Sequence, residues 1–148
     1  MSKNEDAAVE MFLKGYNCSQ SVLACCGQSR GMPRDLAIRV AQAFGGGIGK
    51  TGNLCGALTG ALMALGLGQP ALAAKDAIGK AKSYDKAQAI LTEFARRNGS
   101  LLCRDLVGCD LRTAEGQKHF KESDAHHKVC VKVIRDAVEI VEQQLLAK

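Results

Sequence analysis

Tryptophan is absent, proline occurs twice, and aromatic residues make up 4% of the 148 residues. With so few rings, and with 20 Lys and Arg scattered among 15 Asp and Glu, the net charge of +5 favours solubility, and no nucleic acid is expected as a partner. No basic segment followed by an apolar run opens the chain, so no secretory signal is expected, and the expected compartment is cytoplasmic. The longest nearly uncharged apolar stretch, Leu54 to Gly68, has 15 residues, short of the roughly 20 that cross a bilayer; it reads as a buried core helix, and no membrane span is expected. Also missing are Cys-x-x-Cys, the haem-attachment run Cys-x-x-Cys-His and the ferredoxin cluster spacings.

Cysteine, in contrast, is plentiful, with seven in the chain. A chain of this length buries roughly two-thirds of its unfolded surface and needs neither a metal nor a disulfide to fold. In a reducing compartment the cysteines therefore point to thiol chemistry or metal binding, not to a permanent disulfide framework.

The periodicity is helical almost throughout, and no segment alternates at period two. It predicts an all-α, single-domain bundle of about six to seven helices over residues 1–148, with a central glycine-rich helix. Two short helices open the chain, the first ending at Gly15 and the second capped by Asn17 with Gln20 as its capping-box partner. A third follows Pro33, places Leu36, Ala37, Val40, Ala41 and Phe44 on one side, and ends at Gly45-Gly46-Gly47. A fourth, capped by Asn53, runs through Gly56, Gly60 and Met63 toward Leu67, and a fifth covers about Ala73 to Arg97. A short sixth holds Cys103 to Leu106. The last, from about Asp124 to Leu146, carries Cys130, Val133, Ile134, Ala137, Val141 and Leu145 on one stripe.

The segment Gly45-Gly46-Gly47-Ile48-Gly49-Lys50-Thr51 invites a phosphate-loop reading, but the position that needs the first glycine is Phe44, and a helix precedes it instead of a strand. It reads as a sharp turn that delivers Cys55 to the first turn of the central helix. There, unpaired amides, the helix dipole and nearby Lys50 are expected to favour the thiolate. Cys18, behind the Asn17 cap, and Cys103, after Ser100, are placed similarly. Against this, cysteine also fills small gaps between helices.

Cys25 reads as core and Cys26 as partly exposed. Cys103 and Cys109, separated by Gly108, can meet across a turn as a disulfide or as two metal ligands. His126 and His127 stand four and three positions before Cys130, on one helical face, and could join a His/Cys metal site. His119 reads as surface.

The runs Gly15-Tyr16-Asn17-Cys18-Ser19-Gln20, Phe44 to Gly60 containing Cys55-Gly56-Ala57-Leu58-Thr59-Gly60, Cys103 to Leu111 and Cys130 to Ala137 together resemble the family of putative redox-active proteins named for its C_GCAxxG_C_C cysteine pattern. The resemblance covers nearly the whole chain. It implies a small helical protein whose Cys18, Cys55, Cys103 and Cys130 carry redox or metal chemistry, with Cys109 accessory and Cys25 and Cys26 outside the pattern. The first expectation is a thiol–disulfide oxidoreductase or electron carrier in which Cys55 reacts with Cys18, Cys103 or Cys130. The alternative is an iron–sulfur or zinc module built on the same four cysteines, with Cys109, His126 or His127 as substitute ligands, and a third is a scaffold whose cysteines only pack. The redox partner is open, as is a homodimer.

Overall fold

The structure, a computed structural model, describes residues 2–147. Among them are eight α-helices and no strand: α1 (Lys3–Leu13), α2 (Cys18–Gln28), α3 (Arg34–Val40), α4 (Gly56–Leu67), α5 (Ala77–Asn98), α6 (Cys103–Val107), α7 (Ala114–Glu122) and α8 (Val131–Leu146). The expected all-α bundle is thus present, with one helix more than foreseen. None of its helices is long and apolar enough to cross a membrane.

The opening follows the capping chemistry closely. Ser2 and Glu5 form a capping box on α1, Gly15 turns the chain with φ +114°, and Asn17 and Gln20 form the predicted box on α2. α4 is the middle of the bundle, packed most extensively on α2 and also on α8 and α5. Glycine makes the α2–α4 approach feasible: a Cβ on Gly60 would lie 2.7 Å from the Ser19 carbonyl oxygen, and one on Gly56 3.2 Å from Cys18 Cβ. At this seam the buried Thr59 hydroxyl donates to Ser19 Oγ at 3.0 Å. The apolar stripe of α8 buries Val133, Ile134, Ala137 and Val141 as expected, against α1, α4 and α5.

Several expectations change. α3 stops at Val40, followed by a short 3-10 turn (Gln42–Phe44), and it meets α2 through Ala37 and Ala41 while Leu36 and Val40 stay exposed. The small residues face inward because they permit close helix approach. α5 starts at Ala77, where Asp76 accepts from the Gly79 amide, four residues later than expected. α7 was not foreseen; its sequence has one large apolar residue, Phe120, and its start signal is Thr113, which accepts from the Gly116 amide. The expected last helix is present as one continuous helical run from Ala125 to Leu146, with its first turn widened. Asp124 adopts φ +56°, a π-helical turn spans His126–Cys130, and α8 follows from Val131. Finally, Cys26 is the buried member of its pair and Cys25 the half-exposed one, with Cys25 Sγ 3.7 Å from Met11 Sδ.

Candidate functional site

The glycine-rich bend is a left-handed turn. Gly46, Gly47, Ile48, Gly49 and Lys50 all have φ between +58° and +70°, and Gly52 follows at +74°. Each non-glycine residue in this region carries a steric cost of about 1–2 kcal/mol, and a β-branched residue such as Ile48 is especially unusual there. The turn is held by its own long-reach hydrogen bonds: the Gly49 amide donates to Ala43 at 2.9 Å, Lys50 to Gly45 at 3.0 Å and Asn53 to Gly47 at 2.8 Å. Its start is seated on α2, since Asn17 Nδ2 donates to the Gln42 carbonyl at 3.0 Å.

Beyond the turn, residues 52–55 run beside 101–104. Cys55 N–H donates to Leu101 at 2.9 Å, Cys103 N–H to Asn53 at 2.8 Å, and Leu54 and Leu102 form an isolated antiparallel bridge. This short ladder sets Cys55 and Cys103 side by side. It also changes the expected capping: Asn53 is committed to the ladder and its side chain to Thr51, so Cys55 itself occupies the N-cap of α4.

Cys18 from α2, Cys55 at the start of α4, Cys103 at the start of α6 and Cys130 at the end of the π-turn line one cavity of about 680 Å³. Its mouth includes exposed Gln42, Gly49 and Lys50. His126 lines it as well, stacked on Phe12 with ring centroids 4.2 Å apart and edge-on to Phe120. His127 turns away to Asp124, at 2.8 Å, and is exposed. Cys109 is half-buried outside the cavity lining, and Cys25 and Cys26 lie against other parts of the core. His119 is exposed, as expected.

All seven cysteines are free thiols, so Cys103 and Cys109 are not joined. Among the described residues, no group of three or more His, Cys, Asp or Glu side chains is placed to hold a metal ion.

The electrostatics overturn one expectation. Burial pushes the Cys55 thiol up to about 11, outweighing the downward pull of the Ala57 and Leu58 amides at the helix start. Cys103 is likewise pushed up to about 12, first by burial and then by neighbouring Cys55 and Cys130. The site's low thiol is Cys130. Its hydrogen bond with Cys18 lowers Cys130 against the opposing effect of burial, and the same bond, together with burial, raises Cys18 well above the ordinary range.

Sequence reasoning assembled the four cysteines by resemblance but missed this ordering, because burial has no local signature. The π-turn that carries Cys130 was missed too; its signal is the short break at Ser123-Asp124 between two amphipathic segments.

Comparison with known proteins yields no matching curated protein and no matching solved structure. A family model does match, over residues 16–144, which includes every element from the start of α2 through nearly all of α8. The chain belongs to the C_GCAxxG_C_C family, described as "Putative redox-active protein".

Proposed function

We propose that the chain is a thiol–disulfide exchange protein in which Cys130 is the attacking sulfur and Cys18 the resolving one. The observation that carries this reading is that Cys18 and Cys130 line the same cavity and act on one another's ionisation, with Cys130 held below the ordinary thiol value. Cys55, first expected as the nucleophile, is held protonated by burial and belongs to the wall beside the pair.

The exchange balances with a small disulfide, R–S–S–R, as co-reactant. Cys130 thiolate attacks one of its sulfurs, the S–S bond breaks, and one R–S⁻ leaves and takes up a proton. Cys18, giving its proton to the second departing R–S⁻, then attacks the Cys130 sulfur of the mixed disulfide. Two thiols become one Cys18–Cys130 disulfide, and one R–S–S–R becomes two R–SH.

Anaerobic titration of the reduced protein with oxidised glutathione, followed by thiol counting and peptide mapping, tests this. The expected result is a fall from seven free thiols to five, with Cys18 and Cys130 in one disulfide-linked peptide pair. Cys130→Ser is expected to lose no thiol pair. Loss of a different pair, or no loss in the wild-type chain, would refute the assignment. Protein that leaves anaerobic purification brown with iron and sulfide, or with stoichiometric zinc, would replace it by the metal reading of the same cysteines.

A further inference from the structure

The cavity has more room and a different chemistry than a thiol pair alone requires. Its volume of about 680 Å³ falls in the ~300–1,000 Å³ range typical of small-molecule sites. Much of its wall is apolar, contributed by Phe12, Leu106, Phe120, Val129 and Val133. Burial keeps the lining His126 toward its neutral form, so Lys50 is the one permanently charged side chain among the lining residues.

Lys50 is also specially held. It stands in the left-handed turn at φ +67°, and its stem lies over Gly46, where an added Cβ would come within 3.0 Å of Lys50 Cγ. Gly46 and Gly47 line the cavity, and among the described residues neither amide donates to a protein acceptor, although Gly47 is buried. Buried amides without partners are rare, and where they occur on a cavity wall they are available to a ligand. A cation and two spare donors therefore belong to the wall of a largely apolar chamber. Small-molecule sites have this composition: mostly apolar walls, with a few polar groups that fix orientation.

We propose that this cavity binds a small amphipathic acid, with its apolar body against Phe12, Phe120, Val129 and Val133 and its single anionic group at Lys50 and the Gly46 and Gly47 amides. The inference stands on the cavity and is independent of which thiols exchange.

The test uses two probes with the same ring system, anilinonaphthalene sulfonate and its uncharged counterpart N-phenylnaphthylamine, titrated into the full chain and read by fluorescence. Lys50→Gln is exposed at the mouth and keeps a side chain of similar reach. It is expected to weaken the sulfonate about fivefold while leaving the uncharged probe unchanged. Raising the salt from about 50 mM to about 500 mM is expected to weaken the sulfonate in the wild-type chain and not in the variant. Both probes are expected to slow alkylation of Cys130, which places them in this cavity without any core substitution. Sulfonate binding that ignores Lys50→Gln, an equal loss for both probes, or saturation that leaves Cys130 alkylation untouched would overturn the proposal. None of these readouts involves oxidation, so failure here and failure of thiol exchange are separable.

Discussion

Replacing Gly47 with Ala separates conformational cost from crowding in the left-handed turn. Gly47 (φ +70°) and Gly49 (φ +58°) both adopt backbone that L residues resist, so alanine at either position costs about 1–2 kcal/mol for conformation alone. Their surroundings differ. A Cβ on Gly47 would lie 2.6 Å from Cys103 Cβ and 2.7 Å from the Asn53 backbone, whereas one on Gly49 would meet only the Ala43 oxygen, at 3.9 Å. Overpacking of this kind adds about 1–3 kcal/mol, giving about 2–5 kcal/mol for Gly47→Ala against about 1–2 kcal/mol for Gly49→Ala. Urea unfolding measures the difference directly, and in a thermal melt each kcal/mol corresponds to about 2–4 °C for a chain of this size. Because the Gly47 carbonyl accepts from Asn53, which in turn accepts from Cys103, the crowding also displaces Cys103. Its alkylation rate is therefore expected to change in Gly47→Ala and not in Gly49→Ala. Equal destabilisation by the two variants, with an unchanged Cys103 rate, would show that the turn does not press on the cysteine site.

The α2–α4 seam gives a second contrast. Gly60→Ala, which puts a methyl 2.7 Å from the Ser19 oxygen, is expected to destabilise by about 1–3 kcal/mol, whereas Gly66→Ala, with open space around it, is expected to stabilise by about 0.4–1 kcal/mol; denaturant midpoints decide, and the same sign for both would contradict the packing. Acid unfolding tests the ion pairs of α5: hydrogen bonds from Arg96 and Arg97 hold the Glu93 carboxyl down at about 2. Since the folded value lies below the unfolded value of about 4.3, this contribution is complete above the latter and is lost as pH falls toward 2. Glu93→Gln is expected to flatten that part of the stability profile, and added salt to shrink the difference; an unchanged profile would show that the surface pairs contribute nothing.

The elements governed by local chemistry are those a reader of the chain finds first. Asn17 and Gln20 specify the start of α2 because a cap needs only residues three apart, and Gly99 closes α5 at φ +83° because a left-handed C-cap suits glycine. The stripe on α8 is legible for the same reason, since its period is a property of one helix. α7 was hidden because it is a short, on average polar segment of nine residues whose one large apolar residue is Phe120. The bend at Gly45–Gly49 announced a change of direction, yet nothing in it says that Ile48 and Lys50 join the glycines in a left-handed turn; the carbonyls of Ala43 and Gly45 that hold it lie within the turn's own folded path.

By itself, then, the sequence determined an all-helical chain, the capping box of α2 and the four cysteine positions that mark its family. Only the tertiary structure decided that Cys18, Cys55, Cys103 and Cys130 face one chamber, that Asn53 leaves the α4 cap to Cys55, and that the low thiol is Cys130. The physical reason is desolvation: whether a helix-start sulfur ionises depends on how much water its neighbours remove and on which thiol it touches, and both are set by segments distant along the chain.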